Sequence, residues 1–314
     1  MALRQSVDNY GEGKGQKRKP QPSLFVILTP TLMEFRGEKM RLADDYFQRA
    51  IRMQPDVVEW QTSHVLLLVN MAKHSETGVE EDLMEKLRRA KEQDPENLYL
   101  AAIYLLQLAK KGKPDQSGAR ELATKILRNP VSSYSGIKPL LWFYITFTSL
   151  DEAVALAEEA LKLHPDERYL KRCVALSYKW KIWEKNSRSS PSLIEKGIRA
   201  HEELISLYSD SSFMKRIDLV NIYAKSENTK AKAEEIFQQL LVEDLQTDEK
   251  QILFNNYAKY LYYNKQQCNL SNKYHMKAVD IQIKSVHQRN SIKLLEKIRH
   301  NEGNQNVDRF LSSL

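Results

Sequence analysis

Glycine and proline are scarce, ten of each in 314 residues. Sheet proteins use both for their turns, and apolar residues here recur at i, i+3 and i+4 instead of alternating, so the chain is expected to be helical nearly throughout. No apolar run approaches the roughly 18–20 residues of a membrane span. The run LFVIL (Leu24 to Leu28), behind Lys17, Arg18 and Lys19, is also shorter than the roughly 7–15-residue apolar core of a secretory signal. Only two cysteines occur, Cys173 and Cys268, which fits a reducing, cytosolic compartment with each as a small buried hydrophobe.

Catalytic groupings are missing as well. The seven histidines are scattered without zinc-ligand spacing, and pairs such as His64 and His74 or His275 and His287 are too far apart on a helix to share a ligand. Gly11, Gly13 and Gly15 form the sole Gly-x-Gly-x run, with no strand before it. Carboxylate pairs such as Glu158-Glu159 and Glu234-Glu235 read as solvated helix faces. The expectation is a non-enzymatic protein with no metal, no cofactor and no membrane contact.

What is present is charge and a repeat. The net charge of +7 is carried by the ends. Residues 1–24 contribute +3 and residues 271–314 contribute +4, while the 246 residues between balance at 35 basic and 35 acidic. Basic ends suit a polyanion or an acidic partner; they also suit solvated helix faces. Residues 1–23, rich in Gly, Lys, Gln and Pro and without period, mark residues 1–29 as a disordered basic tail ahead of a repeat array over 30–314.

The repeat appears on comparing the chain with itself. The spacing of Ala43, Phe47, Ala50 and Pro55 returns at Ala153, Ala157, Ala160 and Pro165, and in degraded form at Leu83, Leu87, Ala90 and Pro95. Pro130 falls midway between Pro95 and Pro165. Gly197, His201, Leu204 and Ser209 keep the frame, as do Ala233, Phe237, Leu240 and Leu245. Small residues let two helices approach, an aromatic or Leu fills the gap, and Pro stops the second helix. This is the tetratricopeptide pattern of about 34 residues, whose first helices supply Ala175 and Tyr178 or Val220 and Tyr223. The fold class is therefore all-α, a tetratricopeptide superhelix of about six to seven helical hairpins with a C-terminal capping helix.

Two departures break the period. KWKIWEKNSRSSPSL (Lys179 to Leu193) is about ten residues more than the repeat needs, which gives an insertion loop at about 181–193, with Trp180 and Trp183 expected to pack on the lengthened helix before it. After Leu245 the period stretches to a seventh pair near Ser271 to Ile283, and residues 274–298, YHMKAVDIQIKSVHQRNSIKLLEKI, a long, basic, amphipathic stretch, read as that pair's second helix and its continuation, within basic C-terminal helices over 271–300. In it Ala278, Ile281 and Ile283 fit the buried stripe, and Ile292, Leu294, Leu295 and Ile298 fit the cap. No polar capping helix opens the array, so the first hairpin is expected to expose apolar surface.

KAEEIFQQLLVEDLQTDEKQILFNNYAKYL followed by the 274–298 stretch resembles the C-terminal part of the interferon-induced proteins with tetratricopeptide repeats. MRLADDYFQRAIRMQPD and YKWKIWEKNSRSSPSLIEKGI extend the resemblance over about residues 30–300. It implies cytosolic antiviral defence. Some members of that family hold the 5′ end of foreign single-stranded RNA in a basic channel, and others act through protein partners. Set beside the family, this chain reads as a shortened form without the first repeats.

Where RNA-binding members place Tyr, Arg, Tyr and Arg on the helix after Pro130, this chain has Ser135, Lys138, Pro139 and Ile145. A His-Gln pair becomes Arg172 and Cys173, and an Arg becomes Asn70. The repeat register nevertheless points Arg172, Lys179, Arg216 and Lys225 into the groove, with Lys138, Tyr144 and Tyr223 nearby. Lys277, Lys284 and Arg289 are expected at its mouth. About four neutralised phosphates would give single-stranded RNA binding a log–log salt slope of roughly −3. Two readings stay open: single-stranded RNA in this groove, or a scaffold that assembles with related repeat proteins, the cations then pairing with neighbouring acids. A clamp for acidic C-termini would need Asn where Leu176 and Val220 stand.

Overall fold

The computed structural model describes residues 38–72, 79–129, 135–184, 190–209, 212–302 and 304–314. The expectations for the tail at 1–29, the register start at Pro30, Pro130 and the centre of the insertion loop at 185–189 lie outside these residues. Fifteen α-helices make up the described residues. They fall into two compact units, one up to Ser149 and the other from Leu150. The repeat frame does not mark that division.

The first unit holds α1 (Glu38–Met53), α2 (Val58–Ala72), α3 (Glu81–Gln93), α4 (Leu98–Lys110), α5 (Gln116–Leu127) and α6 (Ile137–Phe147). Ala43, Phe47 and Ala50 of α1 are fully buried, and Met40, Tyr46 and Phe47 pack with Leu67 of α2. Leu87 and Ala90 of α3 repeat the arrangement against Val65 and Val69 of α2 and Leu100 and Ile103 of α4. Pro55 and Pro95 each stand two residues beyond a helix end, where a residue that cannot continue the helix fixes the turn. Asn97 caps α4 by accepting from the Leu100 N–H at 3.0 Å, and Asp115 caps α5 by accepting from the Gly118 N–H at 2.8 Å. Ahead of α6, Gly136 takes a left-handed φ of 86°, and a Cβ there would come within 2.5 Å of the Leu98 carbonyl oxygen.

The second unit holds α7 (Leu150–Leu163), α8 (Arg168–Ile182), α9 (Pro191–Leu207), α10 (Phe213–Tyr223), α11 (Lys230–Val242), α12 (Thr247–Tyr263), α13 (Cys268–Asp280), α14 (Val286–Glu302) and α15 (Gln305–Ser312). The frame residues Ala153, Ala157, Ala160, Ala233, Phe237 and Leu240 are fully buried. His201 replaces the aromatic in α9; it is 3% exposed, bonds the Gly197 carbonyl at 2.8 Å and is held below the usual histidine range by burial. It is a satisfied core histidine. Phe237 sits 5.0 Å from Tyr257 and 5.1 Å from Tyr260 between ring centroids, and Tyr257 is in turn 4.8 Å from Tyr274.

One contact recurs from pair to pair. The hydroxyl of Tyr178 on α8 donates to Glu158 on α7, that of Tyr223 on α10 to Glu202 on α9, and that of Tyr257 on α12 to Glu234 on α11. Burial first and the carboxylate second push all three phenols above their ordinary range. The tyrosine of each first helix thus buttons it to the second helix before it.

The 274–298 stretch is not one helix. It breaks between Asp280 and Val286, because Gln251 of α12 reaches across and donates from its amide to the carbonyls of Ala278, Ile281 and Ile283 at 3.1, 2.9 and 3.1 Å. Those carbonyls lose helical partners where α13 ends, and a buried side chain replaces them. Ser285 donates to the Gln251 side-chain oxygen at 2.6 Å and accepts from the N–H groups of His287 and Gln288 at 3.1 Å each, starting α14. Ile281 and Ile283 are therefore half-buried linker residues and not part of a helical stripe. The cap does form: Leu295 and Ile298 of α14 pack with Val279 and with Val307 of α15, a helix the repeat frame does not anticipate. The cysteines differ from expectation, since Cys173 is buried but Cys268, opening α13, is exposed.

Candidate functional site

The first helices of the second unit, α8, α10 and α12, line a cleft of about 580 Å³. From the end of α8 come Lys179, Trp180 and Trp183, from α10 Asp218 and Asn221, from just beyond α10 Lys225, and from α12 Asn256, Lys259 and Tyr263. Helical spacing explains the set. Asn256, Lys259 and Tyr263 follow one another at three and four residues, the spacing that keeps side chains on one helix face.

The floor is fixed by amides. Asn221 donates to the Asn256 side-chain oxygen at 3.0 Å, Asn256 donates to the Ile252 carbonyl at 2.8 Å, and Asn264 donates to the Ala224 carbonyl at 2.7 Å. The first and third of these bonds tie α10 and the residue that ends it to α12 and its own end, and the second fixes Asn256 on α12. Aromatic surface stands at the rim: Trp180 is 36% exposed and Tyr263 is 67% exposed.

The three lysines differ in their partners. Lys179 is 3.0 Å from the Asp218 carboxylate and lies over the Trp180 ring. Lys225 is exposed, has no acidic partner among the described residues, and holds its ammonium 5.3 Å from the Trp183 ring centroid. Lys259 is half-buried, and it too has no acidic partner among the described residues. Burial alone pulls its pKa below the usual lysine value.

Behind Lys259 lies a buried polar cluster. Asn255 donates to the Ser291 hydroxyl at 2.8 Å, and His275 Nδ1 is 3.0 Å from that same oxygen. His275 Nε2 is buried without a hydrogen-bond partner. Burial and then the Lys259 charge lower His275 to about 4, and the same two causes lower His287. Both imidazoles are neutral at pH 7 and offer Lys259 no negative charge.

Of the residues expected to form the site, the structure brings only Lys179 and Lys225 into this cleft. Arg216 is engaged elsewhere by a two-pronged pair with Glu243, at 2.8 and 2.5 Å, which holds that carboxyl below its usual range. Tyr223 is 4% exposed and bonded to Glu202, so it offers no ring face for stacking. Arg172 is exposed on α8, two turns before Lys179, and its charge reaches Lys215. Lys277 is exposed over the rings of Tyr274 and Phe254, at 4.8 and 5.6 Å. Lys284, in the linker before α14, and Arg289, on α14, are exposed; none of these last three lines the cleft. In the first unit Lys138 is half-buried and Tyr144 is 4% exposed, again without an open ring face.

Sequence reasoning missed Lys259, Tyr263 and Asp218 and treated Trp180 and Trp183 as packing residues. The Asn256-Lys259-Tyr263 spacing was the available signal for α12. Among the described residues, no group of three His, Cys, Asp or Glu side chains could hold a metal ion, and no helix is long and apolar enough to cross a membrane.

No protein-family model matches the chain. Among curated proteins it is similar to the antiviral innate immune response effector IFIT1 of Macaca fascicularis, 24% identical over 280 residues, which is 85% of this chain and 58% of the relative. It is also similar to human protein IFIT1 homolog B, 21% identical over 285 residues, 86% of this chain and 59% of that one. The chain thus spans less than two thirds of the length of these relatives. Among solved structures, the human IFIT1 dimer with m7Gppp-AAAA superposes at a TM-score of 0.70 and 19% identity, covering 99% of this chain and 72% of that one. A tetratricopeptide repeat protein of Parabacteroides merdae gives a TM-score of 0.53 at 11% identity, covering 87% of this chain and 98% of its own. The structural likeness shows the fold, the all-α tetratricopeptide class expected from the repeat.

Proposed function

The similarity to IFIT1 proteins supports placing the chain in the interferon-induced tetratricopeptide family, and we propose that it is a non-enzymatic, cytosolic antiviral protein that binds single-stranded RNA through the cleft of its second unit. The carrying observation is the pairing of exposed indole and phenol surface with two lysines, Lys225 and Lys259, that no described acid neutralises. Aromatic faces accept bases of any sequence, and lysines hold diester phosphates. Human IFIT1 has been solved with both m7Gppp-AAAA and PPP-AAAA. Recognition of a 5′ triphosphate is not part of this proposal, since Ser135 and Pro139 stand where the resemblance asks for tyrosine, Ile145 where it asks for arginine and Cys173 where it asks for glutamine.

A second reading is a scaffold that assembles with related repeat proteins. Buried Tyr144 and Tyr223 and the engaged Arg216 favour it, because they remove three of the groups expected to face RNA. Purified protein titrated with matched single-stranded RNAs bearing 5′-triphosphate or 5′-hydroxyl, at several salt concentrations, separates the readings. Equal, salt-sensitive binding supports the cleft. A triphosphate preference of about tenfold, about 1.4 kcal/mol, would mean an end pocket exists after all. No binding near physiological salt would leave the scaffold.

A further inference from the structure

Charge accounting within the cleft separates its lysines. Lys179 is balanced by Asp218, and Lys225 is exposed, where water already solvates it and Trp183 supports it. Lys259 is the cation whose environment is incomplete: it is half-buried, the imidazoles nearest it are neutral, and no described acid answers it. A partly desolvated ammonium without a counter-charge costs free energy that an arriving anion recovers.

The size and the remaining charge say which anion. About 580 Å³ is the scale of a nucleotide-sized ligand, within the roughly 300–1,000 Å³ of ordinary ligand sites. With the Lys179–Asp218 pair cancelling, the cleft carries two net positive charges. That suits diester phosphates, each of one charge. A terminal triphosphate would crowd several negative charges beside the Asp218 carboxylate. Exposed phenol surface at Tyr263, one turn after Lys259 on α12, completes the requirements of a base with its flanking phosphate.

We infer that the cleft is an internal-nucleotide subsite, in which Lys259 takes a phosphodiester of single-stranded RNA and the Tyr263 face takes an adjacent base, independently of the RNA's 5′ end. This rests on the RNA-binding reading above and narrows it to one anchor.

The test compares wild type, Lys259→Met, Lys259→Arg and the double variant Lys179→Met with Asp218→Asn for binding to a 5′-hydroxyl oligouridylate and to its 5′-triphosphate counterpart across a salt series. Circular dichroism verifies that each variant is folded. Lys259→Met is expected to weaken both RNAs about tenfold at low salt and to reduce the log–log salt slope by about 0.7, the loss of one single-strand phosphate contact. Lys259→Arg keeps the charge and should keep the slope. Lys179→Met with Asp218→Asn removes the ion pair together and leaves the net charge of the cleft unchanged, so it should cost less than threefold. If wild type binds neither RNA, the RNA reading fails and the subsite with it. If wild type binds and Lys259→Met leaves affinity and slope unchanged, the subsite alone is overturned. An effect confined to the triphosphate RNA overturns its end-independence.

Discussion

Replacing His275 with Gln tests the polar cluster behind the cleft through its pH dependence. Wild-type His275 is fully buried, shares the Ser291 hydroxyl with Asn255 through Nδ1, and has no acceptor at Nε2 for a second proton. Its pKa falls from 6.5 to about 4, chiefly through burial and then through Lys259. Unfolding returns it to the ordinary value, so between those limits the unfolded chain binds a proton that the folded one refuses. Stability from this group is thus intact above pH 6.5, declines as pH falls toward about 4, and is level below that. A difference of about 2.5 pKa units at about 1.4 kcal/mol each gives a loss of ~3 kcal/mol. Gln has similar length and no proton to gain, so the variant should lack this loss. His287 and His201, also lowered, and the depressed carboxylates titrate in both proteins and cancel in the comparison. Urea denaturation followed by circular dichroism at about pH 7, 5.5 and 4.5 should show wild type losing ~2–3 kcal/mol more than His275→Gln. Parallel pH dependences would refute the reasoning, because they would mean that His275 is protonated in the folded protein.

Phe237→Ala removes the ring between Tyr257 and Tyr260 and should cost about 3–5 kcal/mol in urea denaturation; a loss below about 1.5 would show that the aromatic cluster collapses into the space. Gly136→Ala forces a left-handed φ on a side chain and drives its Cβ against the Leu98 carbonyl, so thermal melting should report a loss of about 1–3 kcal/mol. Arg216→Met should leave RNA affinity within twofold while costing about 1 kcal/mol of stability, since Glu243 already occupies the guanidinium; a large affinity loss would put Arg216 on the RNA path. With Lys225 and Lys259 as the open cations of the cleft, the wild-type salt slope should lie near −1.4, half the roughly −3 expected from sequence, and a steeper slope would locate further contacts outside it.

The helix pairs were legible because the forces that make them are local and periodic. Ala43, Phe47 and Ala50, or Ala233, Phe237 and Leu240, must be buried for two helices to touch, and burial at fixed spacing writes itself into the sequence. The same register also placed Lys179 and Lys225 on an inner face, since direction from a helix is as periodic as burial. It could not say whether a charge is engaged. Arg216 lies 27 residues from Glu243, and only the packed turn after α11 brings them together. Tyr223 illustrates the opposite error: a tyrosine beside basic residues suggests a stacking platform, but the buttoning contact that recurs at Tyr178 and Tyr257 shows it to be part of the repeat's own construction. The break at Ile281 to Ser285 follows from Gln251, more than 25 residues away, serving carbonyls that a continuous helix would have satisfied internally. A buried polar side chain leaves no period behind it. Lys259 unites both cases, readable by spacing as an inner-face residue and distinguished only by having no acidic partner among the described residues, which is a property of the helices lining the cleft and not of its own neighbours in sequence.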